Sequence, residues 1–169
     1  MKVLDIDFYQ REDVLSVSKE LIGKVLCTSI EGNLTKGIIT ETEAYAGVTD
    51  MASHAFGNRR TPRTETMFKA GGIAYIYLCY GIHHLFNVVT SVDNDPKATL
   101  VRGIEPLLGD DIMRQRRRKK QSDKLTTGGP ATLTQALGLH TRMDREPLTG
   151  KRIWIEDHGY VPNPQHIKT

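Results

Sequence analysis

Residues 73–104 read IAYIYLCYGIHHLFNVVTSVDNDPKATLVRGI, three apolar runs parted by two turn signals. The first run, Ile73 to Cys79, is aromatic and branched, and period-two alternation puts Tyr75, Tyr77 and Cys79 on one face. Tyr80-Gly81 turns it into a second strand near Leu85 to Ser91, leaving Tyr80 near a hairpin tip. Asp93-Asn94-Asp95-Pro96 is the second turn, and Thr99 to Ile104 then reads as a third strand. Consecutive strands joined this tightly form an antiparallel meander.

Toward the N-terminus, Val14, Leu15, Val17 and Leu21 have helical spacing, stopped by Gly23. A strand at Lys24 to Ser29 follows, turning at Glu31-Gly32-Asn33. The return strand, about Thr35 to Tyr45, is predicted to put Ile39, Glu41, Glu43 and Tyr45 on one face. From Ala46 to Gly72 the chain reads as loop, long enough to suggest a functional segment, and it holds His54, Arg59, Arg60 and Arg63. Toward the C-terminus, Asp110 and Asp111 suit the positive end of a helix that runs through Met113 and finishes in Arg116 to Lys120. Gly128-Gly129-Pro130 precedes a short helix at Leu133 to Leu137, Ile153 to Ile155 is a last strand, and the tail from about residue 160, with Pro162-Asn163-Pro164, is expected to be loose. The prediction is an α+β fold: one compact domain over residues 1–169, a mostly antiparallel curved sheet with flanking helices and a protruding β-hairpin.

A chain of 169 residues buries roughly 70% of its unfolded surface, so it needs no metal or disulfide staple. Its 23 Lys+Arg against 20 Asp+Glu give a net charge of only +3, so attraction to nucleic acid has to come from where the cations sit. Cys27 and Cys79 lie in strand-like stretches and fit reduced, cytosolic thiols. The acidic start and the lack of a long apolar run suggest a soluble protein of the cytoplasm, nucleoid-associated in a bacterium, with no membrane contact. There is no GxGxxG and no P-loop, which leaves hydride and phosphoryl chemistry without support. Histidine spacing favours no zinc site, His83-His84 being the one plausible core, so neither metal nor cofactor is expected.

What remains is an acidic strand, an aromatic hairpin and scattered arginines, a set that suits hydrolysis at a nucleic-acid base. Each piece also has a plain reading: Glu43 as a solvated acid, Tyr75 and Tyr77 as core aromatics, Arg116 to Lys120 as a wet helix end.

The order of motifs narrows this. Glu41-Thr42-Glu43-Ala44-Tyr45, His54, Arg60-Thr61-Pro62-Arg63, Met67-Phe68, Tyr75 to Gly81 and Asn87, followed by Arg102 to Pro106 and Gly129-Pro130 with Leu133 to Leu137, resembles the alkyladenine (3-methyladenine) DNA glycosylase family. The likeness runs from about Leu21 to Trp154. It implies Glu43 as the carboxylate that activates water, with Arg102 beside that water and the flipped nucleotide's phosphate. It implies Tyr45, His54 and Tyr77 as walls around the extruded base, Asn87 as a gate against guanine, and Tyr80 as the side chain inserted into the duplex. Phosphate contacts are expected from Arg60, Arg63 and the Arg116 to Lys120 run. The expected partner is double-stranded DNA with a damaged purine, met by a monomer. Departures are Gly71 where proline is common, Thr132 where lysine is common, a less aromatic His83-His84-Leu85, and an end at Thr169 where family sequences continue. Two other readings stay open: a non-catalytic nucleic-acid-binding protein on the same fold, and a nucleosidase using the same acid. The enzyme reading requires the Glu43 carboxyl to face the rings of Tyr45 and Tyr77, with room for one purine between them.

Overall fold

The computed structural model describes residues 1–163, 165, 167 and 168. Its centre is the meander: β4 (Ala74–Cys79), β5 (His83–Thr90) and β6 (Lys97–Leu108). β1 (Lys2–Val3), β2 (Val25–Ile30), β3 (Asn33–Tyr45) and β7 (Ile153–Asp157) complete one seven-stranded sheet in the order β1-β7-β2-β3-β6-β5-β4. All its pairings are antiparallel. With four short α-helices among the described residues the fold is α+β, as the sequence predicts.

Helix α1 (Ile6–Tyr9) is one turn capped by Asp5; it and two-residue β1 are too short to leave a periodic signal in the sequence. Helix α2 (Val14–Leu21) starts at Asp13, whose carboxylate accepts from the amides of Leu15 and Ser16, and it buries Val14, Val17 and Leu21 against the sheet. Tyr160 and Pro162 of the tail lie against Gly23, just past its end; Pro164 lies outside the described residues. Helix α4 (Pro130–Leu137) begins earlier than the apolar spacing alone suggests, because Pro130 suits the first helical position.

Helix α3 (Asp110–Arg116) is shorter than expected. The chain leaves it through Arg118 in the left-handed region (φ 51°), where the amides of Arg118 and Lys119 return to the carbonyls of Gln115 and Arg114. This is a Schellman closure without its usual glycine, so no residue in the sequence marked the stop. Arg117 to Lys120 therefore follow the helix rather than forming its last turn.

The two faces of the sheet differ. On one, Ile76, Phe86, Val88, Val101 and Ile104 pack with Val17, Leu21, Met113, Leu133 and Leu137 from the helices. On the other, a smaller cluster of Tyr75, Val89 and Ala98 packs with Ala55, Met67 and Phe68 from the segment between β3 and β4. That segment, read as loop, contains three short 3-10 turns.

Period-two alternation fails in the middle of β3. Ile39 pairs with Ile104 and Glu41 with Gly103, leaving Thr40 extra; Thr42 then pairs with Val101, leaving Arg102 extra. Two bulges, one per strand, flip the pattern: Ile39 lies in the helix-side core, and Thr42 donates to the Ser18 carbonyl of α2. The expectation that Ile39 shares a face with Glu43 and Tyr45 is thus corrected. A bulge inserts one residue without a sequence mark, and each insertion exchanges the faces beyond it.

Candidate active site

Glu43, Leu100, Asn87 and Tyr75 are successive register partners across β3, β6, β5 and β4, so they form one row on the loop-covered face. Tyr45 and Tyr77 stand two residues along from the two ends of that row. The bulge at Arg102 turns its guanidinium to the same place, where Nε donates to Glu41 Oε1 at 2.8 Å and Nη1 to Glu43 Oε2 at 2.5 Å. The other Glu43 oxygen, Oε1, accepts from Tyr45 Oη at 2.6 Å. Burial, and then the hydrogen bond to Glu43, raise the Tyr45 hydroxyl well above its usual range, so it stays protonated and donates. Glu43 is clamped between a cation and a phenol, yet its side chain is 40% exposed and open to water.

The loop brings His54 over the row. Its Nδ1 lies 3.0 Å from Tyr75 Oη, its Nε2 lies 3.4 Å from Arg63 Nη2, and its ring meets Tyr77 edge-on at 4.7 Å. Burial lowers the His54 pKa, with Arg63 and Arg59 adding to the effect, so the ring is neutral at pH 7. A neutral imidazole with its lone pair toward the Arg63 guanidinium carries its proton on Nδ1 and donates to Tyr75. Arg63, which can only donate, therefore sets the tautomer, and Tyr75, whose own hydroxyl burial pushes up to about 12, accepts from the ring. In the sequence Tyr75 shares with Tyr77 the plain reading of a core aromatic, and of the two the resemblance gives a place in the pocket to Tyr77. The alternation of Tyr75 with Tyr77 was the signal of a further role.

Asn87 is 1% exposed and donates from Nδ2 to the Tyr75 carbonyl, at the floor of the site. Tyr80 is 92% exposed at the hairpin end, in the left-handed region (φ 51°) beside Gly81 (φ 74°). Arg63 sits over the Tyr77 ring at 4.7 Å. Arg60 lies over Phe68, and its guanidinium is taken by both oxygens of Glu65 at 2.8 and 2.9 Å and by Asn94. Arg59 is exposed and forms no ion pair among the described residues, which makes it a freer cation than Arg60.

Of the two conditions set by the sequence, one is met. The Glu43 carboxyl faces Tyr45, but the space bounded by Tyr45, Ala52, His54, Met67, Tyr75, Tyr77 and Asn87 is about 10 Å³. That volume holds at most a single water. The slot is closed, with His54 and Arg63 drawn onto the Tyr77 ring. A recess of about 360 Å³ adjoins it, sharing Ala52 and His54 as walls and lined also by Phe56, Arg59 and Arg63. Among the described residues no group of three or more His, Cys, Asp or Glu could hold a metal ion. His84, singled out in the sequence, accepts the Thr141 amide at Nδ1 and meets the His140 ring edge-on.

Comparison with known proteins extends these observations. A family model described as Methylpurine-DNA glycosylase (MPG) matches residues 7–169. A Chlamydia felis protein named "Putative 3-methyladenine DNA glycosylase" is 49% identical over 154 residues, 90% of this chain and 79% of the relative. Relatives of the same name from Desulfitobacterium hafniense and Clostridium acetobutylicum are 41% and 40% identical, over 93% and 89% of this chain and 80% and 77% of their own lengths. With its sheet, its clamped acid and nearly its whole length accounted for, the chain belongs to the methylpurine-DNA glycosylase family.

Proposed function

We propose that this protein is a base-excision-repair DNA glycosylase that flips alkylated or deaminated purines, such as 3-methyladenine, 7-methylguanine, hypoxanthine and ethenoadenine, out of duplex DNA and hydrolyses their N-glycosidic bond. The observation that carries the reading is the Glu43 carboxylate, held by Tyr45 and Arg102 at the mouth of an aromatic enclosure. Glu43 takes a proton from water as its oxygen attacks C1′ of a sugar developing oxocarbenium character; the bonding pair leaves with the base. A cationic alkylpurine departs as a neutral molecule and needs no acid. It also gains a cation–π term of about 0.5–2 kcal/mol on Tyr45 or Tyr77 that a normal base lacks. None of the seven residues bounding the slot is a lysine, so no Schiff base forms and the product is an abasic site. Tyr80, at an exposed tip, has the reach to fill the space the base leaves. Asn87, buried at the floor, is the side chain we assign as the gate against the 2-amino group of guanine.

The test is incubation with duplexes carrying hypoxanthine, ethenoadenine or 7-methylguanine, followed by alkali. Strand breaks are expected with the wild-type protein, and Glu43→Gln should slow their formation by about 10²–10⁴-fold. Lesion binding without breaks in either protein would leave a non-catalytic binding module, and activity on free nucleosides alone would leave a nucleosidase.

A further inference from the structure

One basic feature, the run expected to meet DNA phosphates, has no strand assigned to it in this scheme. Arg116 ends α3 beside the C-terminus of α4 and enters a groove of about 480 Å³ lined also by His83, His84, Gln135, His140 and Arg142; Arg117 to Lys120 follow it. This groove lies on the helix side of the sheet, opposite the face that carries Glu43.

The cations there lack partners. None of Arg116, Arg117, Arg118, Lys119 and Lys120 forms an ion pair among the described residues. Arg116 donates only to neutral oxygens, Ala136 O and Thr35 Oγ1, and its guanidinium fits because Gly138 has no Cβ: one would lie 2.9 Å from Arg116 Cζ. Arg117 Nε is buried with no hydrogen-bond partner among the described residues. Arg142 reaches Glu31 at 3.6 Å, with side chains 65% and 78% exposed, too loose and wet to neutralise it firmly. Arg116 and Arg142 thus line the groove against a single carboxylate, Glu31, and four more cations, Arg117 to Lys120, follow Arg116 in the chain, a pattern complementary to a polyanion.

The hairpin says which polyanion. Tyr75 and Tyr77 face the slot, whereas His84, paired with Leu78, belongs to the opposite face and packs on His140 in the groove. A wedge entering a duplex at Tyr80 has the flipped strand along its slot face and the complementary strand along the other. We propose that the groove and the Arg116–Lys120 run hold backbone phosphates of the undamaged strand, so that the hairpin stands between two strands bound by opposite faces of the sheet. This rests on the duplex-glycosylase reading above. His84 and His140, whose pKa values burial lowers, serve as neutral hydrogen-bonding groups at pH 7.

The test pairs phosphate-ethylation interference with the variant Arg118→Gln/Lys119→Gln/Lys120→Gln, whose exposed side chains support nothing in the fold. Ethylation of undamaged-strand phosphates should weaken binding by the wild type and matter less to the variant. The variant should bind a lesion duplex about ten-fold or more weakly, with a log–log salt slope smaller by about 2–3. Its affinity for the same lesion in a single strand should change less than about two-fold. Interference confined to the damaged strand, or equal losses on single and double strands, overturns the proposal while lesion cleavage stands. A wild-type protein that cleaves no lesion overturns the glycosylase reading and this proposal with it.

Discussion

Arg63 is the residue that lies across the closed slot. Its guanidinium occupies the Tyr77 ring and touches His54, so the slot is closed by a cation resting where a cationic base would gain most. In the proposed reaction a base entering between Tyr45 and Tyr77 would have to displace it, and the same arginine, once released, would be free to meet a phosphate. The two roles separate when DNA is left out. Arg63→Gln should tighten binding of free 3-methyladenine to the protein by about 3–30-fold, the range that corresponds to losing a cation–π contact of about 0.5–2 kcal/mol. Calorimetry or displacement of a fluorescent purine measures it. Unchanged affinity would reduce Arg63 to a phosphate contact, and weaker binding would make it a wall of the open slot.

Within the elements, the hairpin and the bulged pair β3–β6 divide what the sequence could reveal from what it could not. Turn chemistry and aromatic alternation place β4, the Tyr80 tip and β5 to within two residues. Tyr80 is solvated, so Tyr80→Ala should leave thermal stability within about 0.5 kcal/mol of the wild type. In single-turnover assays at limiting enzyme it should still lower the rate, because the vacated stack is no longer filled; an unchanged rate would remove the insertion role. The bulges at Thr40 and Arg102 had no such signal. They arise from pairing between strands some 60 residues apart, a contact that local spacing does not encode, and they are what turns Arg102 onto Glu43. The acid was therefore legible as a residue type on a strand and the arginine only through the family resemblance. The closure of the slot was legible through neither, since it depends on where a long loop lays His54 and Arg63.

Across the whole molecule, titratable groups whose pKa folding shifts set an acid limit on stability in two stages. Burial lowers the pKa of His54, His84 and His140 from the ordinary 6.5, which means the folded state binds fewer protons than the unfolded chain between those values. Their contribution is complete above about pH 6.5 and is lost as pH falls through the lowered values, when charging the three rings is easier in the unfolded state. The second stage belongs to carboxylates. Burial alone would raise Glu156, but hydrogen bonds from His158, Lys36 and Trp154 outweigh it and hold the group at about 2 instead of 4.5. Glu65 is held at about 2 chiefly by its hydrogen bond with Arg60. Their stabilisation is present above about pH 4.5 and disappears as pH falls from there toward 2. Thermal melts in constant salt should therefore show Tm flat from pH 8 to about 6.5, a first decline below that, and a steeper one below about 4.5. Because Lys36 and Glu156 join β3 to β7 across β2, toward the β1 end of the sheet, while the histidines line the slot and the groove, Lys36→Met should flatten the lower decline and leave the upper one. A single decline, or an upper one that vanishes in Lys36→Met, would contradict that separation.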